Sequence, residues 1–333
     1  MTAMADLLQT MMGPVLRRYR VRKIGLTPRR FTVPLEQVKI DRPIFFLSVP
    51  GGGLTLLLKC FQRLSNTCFC HGNRLSWDAA DNEMSVCVRD SDMPPELSFY
   101  HNPFFPEDLP TNLFRYWTFG TDDNVGHYRF EPEKVSAGMA DRFRTVLKKI
   151  IRAHALDLDD CRLIDKSHLF TVNVGALQHI LANSDPYFVI VSRSPYGGVP
   201  RTARNYYLNP DKHGFDMDYL DAVRLCAQHW RNSFQFALDD GAKVPNFMVT
   251  RVEDFFADPA SYLQSVCEFT GLEFDPDIVP SPDQPATVYQ QMGRRWYPLR
   301  RSVTDKAREA ISDEEAAIID DVCGPVMARL GYT

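Results

Sequence analysis

The chain has 333 residues, of which 44% are hydrophobic and 24% are charged, and its formal net charge at pH 7 is −4. These proportions are ordinary for a globular protein with one large α/β domain or two small ones. The negative net charge argues against general nucleic-acid binding, so any anion site would need a local basic cluster. The eight cysteines are scattered and form no C-x-x-C pair, which is typical of reduced thiols rather than of a metal site.

The first 40 residues are predicted to be a leader arm with one short helix, ahead of a domain that spans residues 41–333. The arm lacks the features of a secretory signal, and the chain has no apolar run of transmembrane length, so we expect a cytoplasmic protein. Residues 7–23 pass from an apolar stretch into the basic run R-R-Y-R-V-R-K. Such a segment can lie on an anionic membrane surface, which predicts a peripheral membrane contact. The alternative, which we favour, is an arm without membrane contact.

The most informative stretch is residues 43–61, P-I-F-F-L-S-V-P-G-G-G-L-T-L-L-L-K-C-F. It predicts a buried strand, a tight glycine turn and the start of a helix. Successive glycines let backbone N–H groups converge on an anion, and a helix start adds partial positive charge. The turn therefore predicts a phosphate or sulfate site, although it lacks the Gly-Lys-Ser/Thr of a Walker A loop. The alternative is a glycine hinge between a strand and a helix.

Strands and helices alternate along the rest of the chain. Further strands are predicted at residues 66–71, 161–164, 187–192 and 246–252. Helices are predicted at residues 140–156, 174–182, 219–238 and 261–270, and from Ser312, which forms a capping box with Glu315. The continuous apolar run at residues 187–192 is typical of a parallel sheet buried on both faces. The pattern predicts an α/β fold, a single P-loop-like domain with a mainly parallel central sheet flanked by helices.

Residues 90–135 differ from the rest of the chain, because they are rich in proline and aromatic residues and show no regular period. Long segments of this kind often form lids or walls of binding sites. We predict that this insertion lies on the acceptor side of the site or forms a lid. The alternative is a surface loop packed over the core.

Three further segments resemble those of the PAPS-dependent sulfotransferases, where PAPS is 3′-phosphoadenosine 5′-phosphosulfate. They are D-K-S-H-L at residues 165–169, D-P-Y-F-V-I-V-S-R-S-P at 185–195, and V-T-R-V-E-D-F-F-A-D-P…E-F-T-G-L-E-F at 249–274. The resemblance extends over residues 43–333 and is to the bacterial and carbohydrate-type branch, with some cytosolic-type features. It implies an enzyme that transfers a sulfuryl group from PAPS, without a metal, to a hydroxyl or amine. The implied acceptor is a small molecule, a glycan or a lipid.

The resemblance also assigns a cofactor site. The family's 5′-phosphosulfate loop, P-K/R-S-G-T-T, corresponds to Pro50, Gly51, Gly52, Gly53, Leu54 and Thr55. The basic residue that normally follows the proline is absent here. The 3′-phosphate site corresponds to Arg193, Arg201 and Thr202, and guanidinium forks suit a phosphate dianion. The family's Gly-basic-Trp segment, which folds over the nucleotide, corresponds to Gly293, Arg294, Arg295 and Trp296.

Transfer to a hydroxyl requires that a proton be removed, and the resemblance implies a histidine base. His168 corresponds to the histidine of a K-T-H-L segment in the cytosolic branch, and imidazole titrates near neutral pH. The same residues resemble a D-K-T-P element of branches whose base lies elsewhere, and a structural histidine at a strand end is a further alternative. His71, after the second strand, is the second candidate for the base. Lys166 is expected to stabilise the bridging oxygen or to replace the missing basic residue.

Two other functions stay open from the sequence. The missing basic residue favours a degenerate relative that binds a nucleotide or acceptor without catalysis. A P-loop kinase is also considered, because kinases of this class and sulfotransferases have related folds. The absence of a Gly-Lys-Ser/Thr sequence counts strongly against it.

Overall fold

A computed structural model describes residues 33–69, 119–207, 217–280, 287–288, 295–296 and 305–332. Within these residues, five parallel strands form one sheet in the order β2-β3-β1-β4-β5. The strands are β1 (Ile44–Leu47), β2 (Thr67–Phe69), β3 (Arg162–Asp165), β4 (Tyr187–Ser192) and β5 (Phe247–Arg251). A short antiparallel pair, β6 (Thr287–Val288) and β7 (Arg295–Trp296), lies apart from this sheet.

Helices connect the strands and cover both faces of the sheet. They are α1 (Leu54–Phe61), α2 (Val125–Tyr128), α3 (Ala137–His154), α4 (Val174–Leu181), α5 (Pro195–Thr202), α6 (Tyr219–Gly241), α7 (Val252–Ala257), α8 (Pro259–Thr270) and α9 (Asp313–Arg329). A short 3₁₀ helix at His168–Val172 follows β3. The predicted α/β class with a parallel sheet flanked by helices is confirmed.

Alternate residues of the central strands face two separate cores, as the two-residue period of a strand requires. Phe45 and Leu47 of β1 pack in a core with helices α3, α4, α6 and α9. Ile44 and Phe46 face the opposite core, with helices α1, α7 and α8. All four side chains are fully buried, which explains why this strand is apolar without alternation.

Most predicted elements agree with the structure to within three residues at each end that the structure describes. The capping box at Ser312 is present, since its hydroxyl accepts from Glu315 N at 3.2 Å and Glu315 Oε2 accepts from Ser312 N at 2.8 Å. Helices α2, α5 and α7 were not predicted. Helix α5 contains two glycines and an internal Pro200, which lower helix propensity. The predicted strand at residues 246–252 ends at Arg251, because α7 begins directly at Val252.

Two predicted regions lie partly or wholly outside the described residues. Of the aromatic insertion at residues 90–135, only residues 119–135 are described. There Phe119 and Tyr128 are fully buried, in a small core with Leu169 and Val172. The segment proposed for membrane contact, residues 7–23, lies outside the described residues. In the part of the chain that is described, no helix has the length and apolar character needed to cross a membrane.

Candidate functional site

The carboxyl ends of β3, β1 and β4 meet at one edge of the sheet, because these strands are adjacent and parallel. The segments that follow them are the turn at residues 166–168, the glycine loop (residues 50–55) and the pair Arg193–Ser194. Since β1 lies between the other two strands, the glycine loop emerges between the other two segments. Crevices at the carboxyl ends of parallel strands are the usual binding sites of open α/β sheets. The fold therefore brings together three segments that are far apart in the sequence.

The backbone of the glycine loop requires glycine at three successive positions. Gly51 and Gly53 have φ values of +85° and +89°, which L side chains rarely adopt. A Cβ atom at Gly52 would lie 2.0 Å from Ser48 Oγ. Within the described residues no side chain caps helix α1 at Gly53, so the first N–H groups of the helix remain available to an anion.

Two of the residues predicted for the 3′-phosphate contact the glycine loop. Arg193 Nη1 donates to the carbonyl oxygen of Gly51 at 2.8 Å. Thr202 Oγ1 lies 3.3 Å from the carbonyl oxygen of Pro50 and 2.8 Å from that of Gly198. Arg201 is exposed in the last turn of α5. The glycine loop is therefore in contact with Arg193, just before α5, and with Thr202, at the end of α5.

His168 lies against the end of β1. Its Nδ1 is 2.9 Å from the carbonyl oxygen of Ser48, which also accepts from Thr171 Oγ1 at 2.9 Å. A carbonyl oxygen only accepts, so Nδ1 carries a proton, and in the neutral ring the lone pair is at Nε2. Ser48 was not singled out from the sequence. Its position directly after an apolar strand was the only available signal.

The residues before His168 are also buried. Lys166 is only 2% exposed. Asp165 Oδ1 accepts from Ser167 N at 2.6 Å, whereas Oδ2 accepts from no described residue. Burial raises the pKa of the Asp165 carboxyl to about 7, against the opposing effects of the Ser167 hydrogen bonds and the Lys166 charge. A carboxyl group with a pKa near neutrality therefore lies three residues before His168.

A small cleft opens beside the start of the glycine loop, between α5 and α6. It encloses about 280 Å³, part of it open to solvent, and is lined by Val49, Pro50, Gly198, Val199, Thr202, Cys226, His229 and Trp230. Its walls are mainly apolar. The ring of His229 packs edge-on against Phe119, with the centroids 4.4 Å apart. Burial raises the pKa of the Cys226 thiol, which disfavours the reactive thiolate.

The remaining candidate residues lie in the short strand β7 or outside the described residues. Arg295 and Trp296 form β7, with Trp296 opposite Thr287 in the antiparallel register. Strand β6 contacts helix α1, the helix that begins at the glycine loop. His71 and Arg294 lie outside the described residues.

No protein-family model matches the chain, and no curated protein matches it in sequence. Among solved structures it is similar to the sulfotransferase domain from the curacin biosynthetic pathway. The TM-score is 0.51 at 17% identity, and the match covers 89% of this chain and 99% of that one. It is also similar to sulfotransferase STF9 from Mycobacterium avium, with a TM-score of 0.51 at 10% identity, covering 98% of this chain and 85% of that one. At these identities the likeness establishes the fold, which is that of the sulfotransferases.

Proposed function

We propose that the chain is a sulfotransferase that uses PAPS as its donor. The acceptor is a hydroxyl or amine of a small molecule, a glycan or a lipid. The sulfotransferase fold supports this class of reaction. The observation that carries the proposal is the hydrogen bond between Arg193 and Gly51. It joins the two segments that resemble the family's 3′-phosphate and 5′-phosphosulfate sites.

The described residues fit a donor with two anionic ends. Backbone N–H groups at Gly53 and at the start of α1 suit the 5′-phosphosulfate, because successive N–H groups and a helix N-terminus favour anions. Arg193 and Thr202 suit the 3′-phosphate, since a guanidinium binds phosphate bidentately and a hydroxyl donates to it. Arg201, Arg294, Arg295 and Trp296 remain proposed contacts of the nucleotide.

PAPS supplies an activated sulfuryl group attached to a good leaving group. The chain's own contribution is to orient the reactants and to handle one proton. His168 removes the proton from the hydroxyl or amine of the acceptor at Nε2, because Nδ1 donates to the carbonyl oxygen of Ser48. Lys166 adds the positive charge that the glycine loop lacks. His71 remains a second candidate for the base.

The reacting end of the acceptor must lie within reach of His168 Nε2, since this atom is the proposed base. The cleft between α5 and α6 is lined by Thr202 together with Val49 and Pro50, so it lies beside the proposed 3′-phosphate contact. The cytoplasmic location and the peripheral membrane contact of residues 7–23 stay predictions.

The test is calorimetric binding of 3′,5′-ADP, the nucleotide product of sulfuryl transfer. We expect measurable affinity that falls at least about tenfold in Arg193→Gln, since a charged hydrogen bond is removed. Arg224→Gln is the matched control, because Arg224 pairs with Asp321 on the surface. A folded wild-type protein without affinity for 3′,5′-ADP would refute the proposal.

The second candidate is a protein that binds the nucleotide without catalysis. Gly51 favours it, because a glycine stands where the family carries a basic residue. The two candidates differ in turnover. Sulfation of any acceptor that is lost in His168→Ala, with 3′,5′-ADP affinity retained, excludes the non-catalytic alternative.

A further inference from the structure

The peptide group between Arg193 and Ser194 is held at both ends. Its carbonyl oxygen accepts from Trp230 Nε1 at 3.0 Å, and its N–H donates to Glu253 Oε1 at 2.9 Å. Because a peptide group is planar and rigid, these two bonds set the direction in which the Arg193 side chain leaves the backbone. That side chain then reaches the carbonyl oxygen of Gly51.

Tyr332, beyond the end of α9, in turn holds Glu253. Its hydroxyl lies 3.0 Å from Glu253 Oε2 and 3.0 Å from Ser192 Oγ. A carboxylate only accepts, so the phenol donates its hydrogen to Glu253. Burial, followed by the negative charge of Glu253, raises the pKa of the Tyr332 phenol well above its ordinary value. The hydroxyl therefore remains a donor over the whole working range of pH.

The ring of Tyr332 also contacts Trp230, which holds the carbonyl end of the same peptide group. Its centroid is 6.5 Å from that of Trp230, with an interplanar angle of 61°. The Arg251 guanidinium lies over the Tyr332 ring, 4.6 Å from its centroid. Tyr332 thus touches both Trp230 and Glu253, and it is 6% exposed.

We propose that Tyr332 is a positioning residue for the phosphate-binding Arg193. It acts through Glu253 and Trp230, which hold the Arg193–Ser194 peptide group in the orientation that directs the guanidinium to the 3′-phosphate of the nucleotide. This inference rests on the proposed function. Loss of the Tyr332 hydroxyl lowers the affinity for the 3′-phosphate and leaves the proton transfer at His168 unaffected.

The experiment compares Tyr332→Phe with Tyr262→Phe. Tyr262 is a matched control, because its buried hydroxyl bonds to Thr250 Oγ1 at 2.6 Å instead of to Glu253. Affinities for 3′,5′-ADP and for 5′-AMP, which lacks the 3′-phosphate, are measured well below the melting temperature of each variant. We expect Tyr332→Phe to bind 3′,5′-ADP about three- to tenfold more weakly, because a hydrogen bond to a charged group is lost. Its affinity for 5′-AMP and both affinities of Tyr262→Phe should equal those of the wild type.

Glu253→Gln supplies a second variant of nearly unchanged size. Since Tyr332 acts through Glu253, we expect Tyr332→Phe to cause little further loss of 3′,5′-ADP affinity in the Glu253→Gln background. In turnover, Tyr332→Phe should raise the KM for PAPS and leave kcat unchanged.

The outcomes separate the inference from the function on which it rests. Wild-type protein that fails to bind 3′,5′-ADP refutes the proposed function, and the inference with it. If the wild type binds, unchanged 3′,5′-ADP affinity in Tyr332→Phe overturns the inference alone. An equal loss for both nucleotides also overturns it, because that result indicates a general loosening of the fold.

Discussion

The imidazole Nδ1 of His168 lies 2.9 Å from the carbonyl oxygen of Ser48, the residue that follows the central strand β1. This contact joins the turn after β3 to the base of the glycine loop. It also determines the tautomer, since the proton on Nδ1 leaves Nε2 as the basic atom. A histidine that was a candidate by resemblance thereby has a defined tautomer in its neutral form, beside the proposed donor site.

Replacing His168 tests the proposed base. We expect His168→Ala to lower kcat by about a hundredfold or more, in the range for loss of a general base. The 3′,5′-ADP affinity should be retained, because the proton acceptor does not hold the nucleotide. The comparison is His179→Ala, which alters an exposed histidine of α4. If His168→Ala turns over within a few-fold of the wild type, the base lies elsewhere, and His71 becomes the candidate.

A single added methyl group in the glycine loop is expected to lower both the stability of the protein and its affinity for 3′,5′-ADP. In Gly52→Ala the new Cβ would lie 2.0 Å from Ser48 Oγ, and that hydroxyl already donates to Val191 O at 2.7 Å. We expect a loss of about 1–3 kcal/mol in the free energy of unfolding from overpacking. The affinity for 3′,5′-ADP should fall as well. Chemical denaturation measures the loss of stability, and calorimetry measures the loss of affinity.

Gly126→Ala is the control for this substitution. A Cβ at Gly126 would meet no described atom within 4 Å apart from its chain neighbours and its own helix backbone, and the position is exposed in α2. Alanine there should change the free energy of unfolding by at most about 0.5 kcal/mol. Equal behaviour of the two variants would contradict the geometry of the loop.

The ion pair between Arg129 and Asp240 is predicted to hold the His168–Val172 turn. Arg129 donates to both carboxylate oxygens, at 2.9 and 2.8 Å, and to Val172 O at 2.7 Å. The Asp240 side chain is 6% exposed. Asp240→Ala should lower the free energy of unfolding by about 3–5 kcal/mol, because it leaves a partly buried charge without its partner.

Asp321→Ala provides the exposed counterpart, since it removes the partner of Arg224 at the surface. We expect a change of at most about 1 kcal/mol there. Chemical denaturation of the two variants measures the difference. Similar losses for both would show that the Arg129 pair does not anchor the turn.

Asp165 predicts a pH dependence of stability. Burial raises its pKa in the folded protein to about 7 from 3.8. Between these values the folded state keeps the proton while the unfolded state loses it, so this group stabilises the fold fully below pH 4. That contribution declines as the pH rises to about 7. The denaturation midpoint should therefore fall less steeply from pH 4.5 to 7.5 in Asp165→Asn, in which the amide oxygen can still accept from Ser167 N. Identical slopes would contradict the raised pKa.

Local patterns in the sequence were sufficient for the class of fold. The apolar run of β4 predicted its bounds correctly, because a strand buried on both faces needs no alternation. Ser312 and Glu315 predicted the start of α9, since a capping box requires only residues three positions apart. The three successive glycines predicted the turn after β1, because few other residues adopt its backbone angles. Helices α2, α5 and α7 were missed where proline, glycine and short length obscured the helical period.

Only the tertiary structure decided how these pieces form a site. The contact between His168 and Ser48 depends on the pairing of β1 with β3, and no local pattern specifies which strands pair. The link from Tyr332 through Glu253 to Ser194 joins three distant parts of the chain by side-chain hydrogen bonds alone. The sequence by itself determined the elements and the residue types that can bind an anion. Packing between distant elements decided which of those residues meet, because such contacts depend on the register of the sheet and leave no period in the sequence.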